Sequence, residues 1–223
     1  MGKRSAVISV IILLSGLAVL GYILQQGRKS LLTDPYKSVA PTAAIVIESI
    51  DLKSFINSIT TGQGLFGEVA KIGEFENFNR KLKFLADQLN KPPYQDFLDG
   101  SRAVISFHPS DSGKFRTLLS LAVKSDIRLR QIREAMKMAG ILITNDTTLS
   151  GIKAFYLPYE SGNKKDTLFV SNNSGLLLFA TSPGLMERAI IQTGRDKDVR
   201  NLPGFARILQ SSGKNEDKIF IVF

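Results

Sequence analysis

The chain's one histidine, His108, lies in the run HPSDSGK, with Ser110 and Asp111 close behind it. Serine, histidine and aspartate can act as nucleophile, base and orienting carboxylate. Here all three share one turn, where short polar side chains bond to nearby backbone. No GxSxG nucleophile elbow occurs anywhere in the sequence. His108 therefore reads as a solvated turn histidine. A second chemical signal is Gly62-Gln63-Gly64-Leu65-Phe66-Gly67, which fits GxGxxG. In a dinucleotide fold such glycines follow a strand directly and open a helix, so that amides meet a pyrophosphate. Here a helix over 51–59 is expected to intervene, and Asn90-Lys91-Pro92-Pro93 stands where the next strand should begin. The glycines read as a loop.

Carboxylates come in spaced pairs at Glu74/Glu76, Asp96/Asp99 and Asp196/Asp198, without a calcium-loop pattern. A paired-acid hydrolase needs convergence in space, which spacing alone does not supply. The absence of Cys removes disulfide scaffolds and thiolate metal sites, and a single His removes two-histidine mechanisms. No catalytic, cofactor-binding or metal-binding residue is assigned. Two groups remain as a candidate ligand or partner surface. Phe75, Phe78 and Leu82 lie on the apolar stripe of a strongly periodic helix over 65–89. Arg128, Arg130, Arg133 and Lys137 cluster on a later helix, opposite its apolar side. No aromatic–basic repeat accompanies these cations, so they do not read as a nucleic-acid interface. They read as a solvated face, or as a surface attracted to anionic lipid or polymer.

The elements that position these residues begin with Ala6–Leu24, a run of 19 residues without a charge. As a helix it spans about 28 Å, close to the hydrocarbon thickness of a bilayer. It is longer than the apolar core of a cleaved signal peptide and has no A-x-A site after it, so it reads as a transmembrane signal anchor. Lys3 and Arg4 precede it and Arg28 and Lys29 follow it. A short basic tail favours residues 1–5 in the cytoplasm and the C-terminal domain outside the inner membrane. Of the net charge of +9, residues 1–37 carry +4, so much of it belongs to the flanks of this segment.

Residues 25–40 read as a linker and 41–223 as an extracytoplasmic domain. Apolar runs predict strands at 42–48, 102–107, 115–124, 141–144, 152–159, 167–171, 175–181 and 218–223. Helices are expected at 51–59, 65–89 (with a break at Gly73), 127–139, 183–193 and 204–210. Asp51 or Ser49, Ser125 or Asp126, and Ser182 before Pro183 are the expected caps. Short strand–strand links favour antiparallel pairing. The fold class is thus α+β: a mixed or antiparallel sheet with helices on one face. A strand-strand-helix unit recurs about 65 residues apart and suggests a duplication. The terminal run IFIVF has no polar finish, and further strands are expected beyond it.

The segments VAPTAAIVIESIDLKSFINSI, GSRAVISFHP, GIKAFYLPY, GLLLFATSPGLMERAI and LPGFARILQSSGKNEDKIFIVF occur in this order. Over residues 38–223 the chain resembles an uncharacterised bacterial family of membrane-anchored envelope proteins, a domain of unknown function. That resemblance implies an envelope location and transfers no catalytic residue. The functional expectation is a non-enzymatic, single-pass protein, in contact with the bilayer through 6–24, that binds or scaffolds an envelope protein or lipid. The alternative is a carrier of lipid or another hydrophobic ligand, with its pocket between the 65–89 helix and the sheet. An unrecognised hydrolase is third.

Overall fold

Alternating apolar and polar residues in several short runs build one sheet, and its register decides which side chains meet. The computed structural model describes residues 33–63, 102–111, 113, 115–123, 129–138, 143, 146–161, 164–213 and 217–222. In order, the described elements are a 3-10 turn at Pro35–Ser38, β1 (Ile45–Ser49), α1 (Leu52–Thr61), β2 (Ala103–Pro109), β3 (Phe115–Ala122), α2 (Leu129–Met138), β4 (Asp146–Leu149) and β5 (Ile152–Ser161). They continue with β6 (Lys164–Asn173), β7 (Leu176–Ala180), α3 (Pro183–Thr193), a 3-10 turn at Val199–Asn201, α4 (Pro203–Ser211) and β8 (Lys218–Ile221). The expected 65–89 helix and residues 6–24 lie outside the described residues. Among those described, no helix is long and apolar enough to cross a membrane.

The sheet has eight strands in the order β4-β5-β6-β7-β3-β2-β1-β8. Every neighbouring pair is antiparallel. Helices pack on one face, giving the α+β class. Residues alternate between faces along each strand. With the observed register, Val46, Glu48, Val104, Ser106, His108, Leu118, Ser120, Leu178, Ala180 and Phe220 share one face. On that face α3 brings Leu185, Met186, Ala189 and Ile190 against Leu118, Leu176, Leu178 and Ala180. Beside it, Phe205 of α4 joins Tyr36, Val39, Val46, Val104, Val199 and Phe220. The Phe205 and Phe220 rings lie 4.7 Å apart, centre to centre. The opposite face carries Ile47, Ile105, Phe107, Leu119, Leu121, Phe155, Val170, Leu177 and Phe179, all buried. Each such side chain stabilises the fold by about 1.5–3 kcal/mol through removal from water.

Local chemistry sets the ends of elements. Ser182 accepts from the Leu185 amide at 3.3 Å, and Pro183 stands at the first helical position of α3. Asp51 accepts from the Lys53 amide and the Ser54 hydroxyl at the start of α1. Four helices, α1 to α4, match their expected spans to within two residues at each end, and α3 does so to the residue. Most of the strand expected at 141–144 lies outside the described residues, and β4 at Asp146–Leu149 was not expected. The expected linker ends early: the compact unit begins at Thr33, and Tyr36, Ser38 and Val39 are buried. Composition hid this, because a polar stretch becomes core once its hydroxyl groups find partners inside.

Two hairpins turn through consecutive left-handed residues, Ser150-Gly151 (φ 46° and 79°) and Ser174-Gly175 (φ 53° and 79°). A two-residue turn between twisted strands requires this conformation. A Cβ at Gly151 would meet nothing within 4 Å, whereas one at Gly175 would lie 3.1 Å from Thr33 Oγ1. Gly151→Ala is expected to cost about 1 kcal/mol through backbone strain alone. Gly175→Ala is expected to cost measurably more, because the Thr33 contact must also yield. Urea denaturation of the two variants checks the order, and equal losses would contradict the crowding argument.

Candidate functional site

The polar residues of the helix-covered face form two groups, and the first is built around the strap Thr33–Val39. Asp34 accepts from the Tyr36 amide at 3.1 Å, and Pro35 fixes the backbone at the start of the 3-10 turn. This drops the Tyr36 ring against Phe205, 5.9 Å between centres. Its hydroxyl donates to Glu48 Oε2 at 3.2 Å. Glu48, on β1, is only 3% exposed. A carboxylate so far from water needs charged partners. Arg102 supplies one at 3.1 Å on Oε1, and Lys218 of β8 another at 3.3 Å on Oε2. Burial first, and then the charge of Glu48, push the Tyr36 phenol well above its ordinary range, so it stays a donor.

Arg200 closes the strap from outside. Its Nε and Nη2 donate to the two oxygens of Asp198 at 3.0 and 2.6 Å, and Nη1 donates to Asp34 Oδ2. Its guanidinium lies 5.2 Å from the centre of the Tyr36 ring. The Asp198 hydrogen bonds hold Arg200 more firmly charged than a free guanidinium. The Val199 amide donates to the Val39 carbonyl at 3.2 Å. Ser120 and Ser38 are joined through their hydroxyls, and Ser38 donates to the Pro35 carbonyl at 2.9 Å. Asp34, Asp198 and Glu48 are thus set against Arg102, Arg200 and Lys218. The charges balance, and the arrangement is a clasp that fixes the entering chain to β1, β3 and β8.

The second group centres on His108. It is not the solvated turn histidine expected from the sequence. It lies inside β2, opposite Arg116 of β3, and is 4% exposed. Proline suggested a turn, but Pro109 closes the strand opposite Phe115. The partner of His108 is Ser106, whose Oγ lies 3.0 Å from Nε2. The pair Ser106–His108 follows from alternation, two residues apart on one face. This is the distance of a nucleophile from its base. Ser106 is fully buried, and no carboxylate of the described residues orients the imidazole in the manner of a triad. Burial and then the charge of Arg188 on α3 lower its pKa to about 4, so the ring is neutral near pH 7.

Phe75, Phe78, Leu82 and Arg128 lie outside the described residues, as do Gly64 and Gly67 of the glycine run. The helix expected before that run is present as α1. Arg130, Arg133 and Lys137 lie on α2, with Ile132 buried on its inner side. Arg130 pairs with Glu134 one turn on at 3.5 Å, and Arg133 pairs with Asp146 of β4 at 2.6 Å. Part of the basic face is therefore answered by the protein's own carboxylates. Among the described residues, no group of three or more His, Asp or Glu could hold a metal ion.

Sequence reasoning missed the strap. Its signals were present: Asp-Pro at a cap, Tyr two residues on, and Asp198 with Asn201 in a capping-box spacing, which the second 3-10 turn uses. The fold and these two groups define a class, an α+β domain on an eight-stranded antiparallel sheet with helices on one face. The chain matches no family model, and neither the curated proteins nor the solved structures contain a detectable match.

Two outcomes follow from this geometry. Glu48→Gln leaves Arg102 and the nearly buried Lys218 without their counter-charge, and is expected to cost about 3 kcal/mol; Tyr36→Phe, which loses one hydrogen bond, costs about 1 kcal/mol in urea denaturation. For His108, the unfolded chain binds a proton near pH 6.5 and the folded chain only near pH 4. Between these values the unfolded state holds more protons, so stability falls as pH drops from about 6.5 to about 4. The loss totals roughly 3 kcal/mol and is complete below the lower value. A pH series of melting curves should show this slope in the wild type and lose it in His108→Gln.

Proposed function

We propose that this chain is a non-enzymatic, single-pass protein of the bacterial cell envelope, whose α+β domain binds or scaffolds another envelope component. In this reading Ala6–Leu24 is the anchor in the inner membrane, residues 1–5 are cytoplasmic, and the domain stands on the other side. The apolar length of the run and the resemblance to membrane-anchored envelope proteins support the anchor. The observation that carries the reading is the clasped strap. Only residues 25–32 separate the apolar run from Thr33, where the compact unit starts. Eight residues reach at most about 29 Å when fully extended. A domain on so short a leash is suited to holding a partner beside the bilayer.

The same reading includes an internal duplication. The units β2-β3-α2 and β6-β7-α3 recur in sequence, and β3 pairs with β7 at the centre of the sheet. The strand order outward from that pair, β2-β1 on one side and β6-β5 on the other, is what two copies meeting edge to edge would give.

The test begins with alkaline carbonate extraction of membranes. The full chain should stay in the pellet, and a variant beginning at Gln25 should move to the supernatant. Release of the full chain would remove the anchor from the proposal. Cross-linking in intact cells, followed by purification from membranes, should then give an envelope protein that is lost when residues 33–223 are deleted. Recovery of stoichiometric lipid with no protein partner would replace scaffolding with the carrier function.

A further inference from the structure

The two edges of the sheet are built differently. At one edge β4 carries Asp146, Thr147, Thr148 and Leu149, and Arg133 of α2 reaches across to the Asp146 carboxylate at 2.6 Å. An exposed charge on an edge strand opposes pairing with a further strand. At the other edge β8 reads Lys218-Ile219-Phe220-Ile221, and β1 is its one neighbour among the described strands. The strand has no proline, and its register with β1 runs without a bulge. Its single charged side chain does not guard the edge, because Lys218 is turned inward onto Glu48 Oε2 at 3.3 Å. Exposed apolar side chains gather here instead. Ile221 is 61% exposed on β8, and Ile208 is 53% exposed on α4, the helix that stacks Phe205 on Phe220.

The hydrogen-bond pattern fixes which backbone groups of β8 face outward. The Val222 amide donates to the Ala44 carbonyl at 2.7 Å, and the register that sets Ile45 against Ile221 puts these two residues opposite each other. Bonded and non-bonded positions alternate along an antiparallel pair. Phe220 and Lys218 therefore turn their amides and carbonyls to β1, as Val222 does. Ile219 and Ile221 turn theirs away from it. The side chains of Ile219 and Ile221 share the sheet face of Ile45 and Ile47, whereas Phe220 lies on the helix-covered face.

We propose that β8 pairs with β8 of a second copy of this chain, antiparallel, about a two-fold axis at Phe220. This register sets Ile219 opposite Ile221 of the other copy, and Ile221 opposite its Ile219. Each outward amide then meets an outward carbonyl, so the edge is complementary to itself in partial charge. A slip of one residue would set outward groups against inward ones and lose these bonds. Phe220 faces its own counterpart at a non-bonded position, where antiparallel strands bring side chains closest. On the other face the isoleucines of both copies form one apolar row that covers Ile221. Lys218 is neutralised by Glu48 within each copy, so no free like charges meet across the axis. The contact does not depend on residues 6–24 occupying a bilayer, so it goes beyond the envelope reading and survives that reading's failure.

The test uses the full chain in an uncharged detergent and follows sedimentation velocity over a concentration series. A monomer–dimer equilibrium is expected. Ile221→Pro removes only an outward amide, which a sheet edge tolerates. Ile221→Lys places a new charge on each side of the axis. Each variant should weaken dimerisation at least tenfold, with the melting curve of the dilute, monomeric protein unchanged. Ile191→Lys, at an exposed apolar position on α3, should leave the equilibrium as it was. The chain has no cysteine, so an introduced pair reports this contact alone. The double variant Ile219→Cys with Ile221→Cys should oxidise to a cross-linked dimer, because the register brings the two within disulfide reach. Either single variant should cross-link far more slowly. A chain that stays monomeric at every concentration, or wild-type dimerisation in both Ile221 variants, would overturn the proposal. The latter result would move the contact to another surface, residues 6–24 included.

Discussion

The burial of Glu48 constrains the rest of the structure. A carboxylate on a strand inside the sheet, sealed from water, is tolerable only if its donors arrive from elsewhere in the chain. They come from three distant places: the phenol of Tyr36 before β1, the guanidinium of Arg102 before β2, and the ammonium of Lys218 on β8. Satisfying one side chain therefore brings together the entry strap, the middle of the sheet and its β8 edge. The same phenol then carries the ring on which Arg200 rests, and Arg200 in turn gathers Asp34 and Asp198. Because the partners are far apart in sequence, their contacts form only as the sheet closes. The cluster thus specifies the position of β8 and the strap more than it adds net stability.

The legibility of the sequence followed the physical locality of each signal. The span of α3 was readable to the residue, because Ser182 and Pro183 cap it and its apolar spacing is helical. The β5-β6-β7 meander was readable too, since its strands alternate and its last turn is Asn-Ser-Gly. The sheet order was not, because register and neighbour choice are long-range. His108 was misread for a related reason. Pro109 is a strand terminator in local terms, yet a strand can end on proline when its missing amide is not needed by the neighbour. The strap failed differently. Nothing in QQGRKSLLTDPYKSVA is apolar enough to predict burial, and Tyr36 becomes a core residue through Phe205 and the carboxylate on β1, both far away in sequence. On α2, the Arg130–Glu134 pair was visible in the four-residue spacing, whereas the Arg133–Asp146 pair depends on where β4 lies.

The two faces of the sheet divide the chemistry. One is a continuous apolar surface, from Ile47 through Phe107, Leu119 and Phe179 to Phe155. The other mixes apolar residues with Ser106, His108, Ser120 and Glu48 in adjacent strands. Buried polar groups cost free energy unless each finds a partner, so a face that retains several must be matched by elements that supply donors and acceptors at fixed places. The helices and the strap meet that requirement on this face. An apolar surface has no such demand and is satisfied by any well-packed cover. Positional specificity in this domain therefore resides on the helix-covered face.

Charge pairing on that face also separates structure from recognition. Where a cation has a carboxylate beside it, the field it projects into solvent is largely cancelled within a Debye length. The strap cluster, with three acids against three bases, projects little. The net positive charge of the domain must then be expressed by cations that remain unanswered, and its sign at any point depends on where those lie.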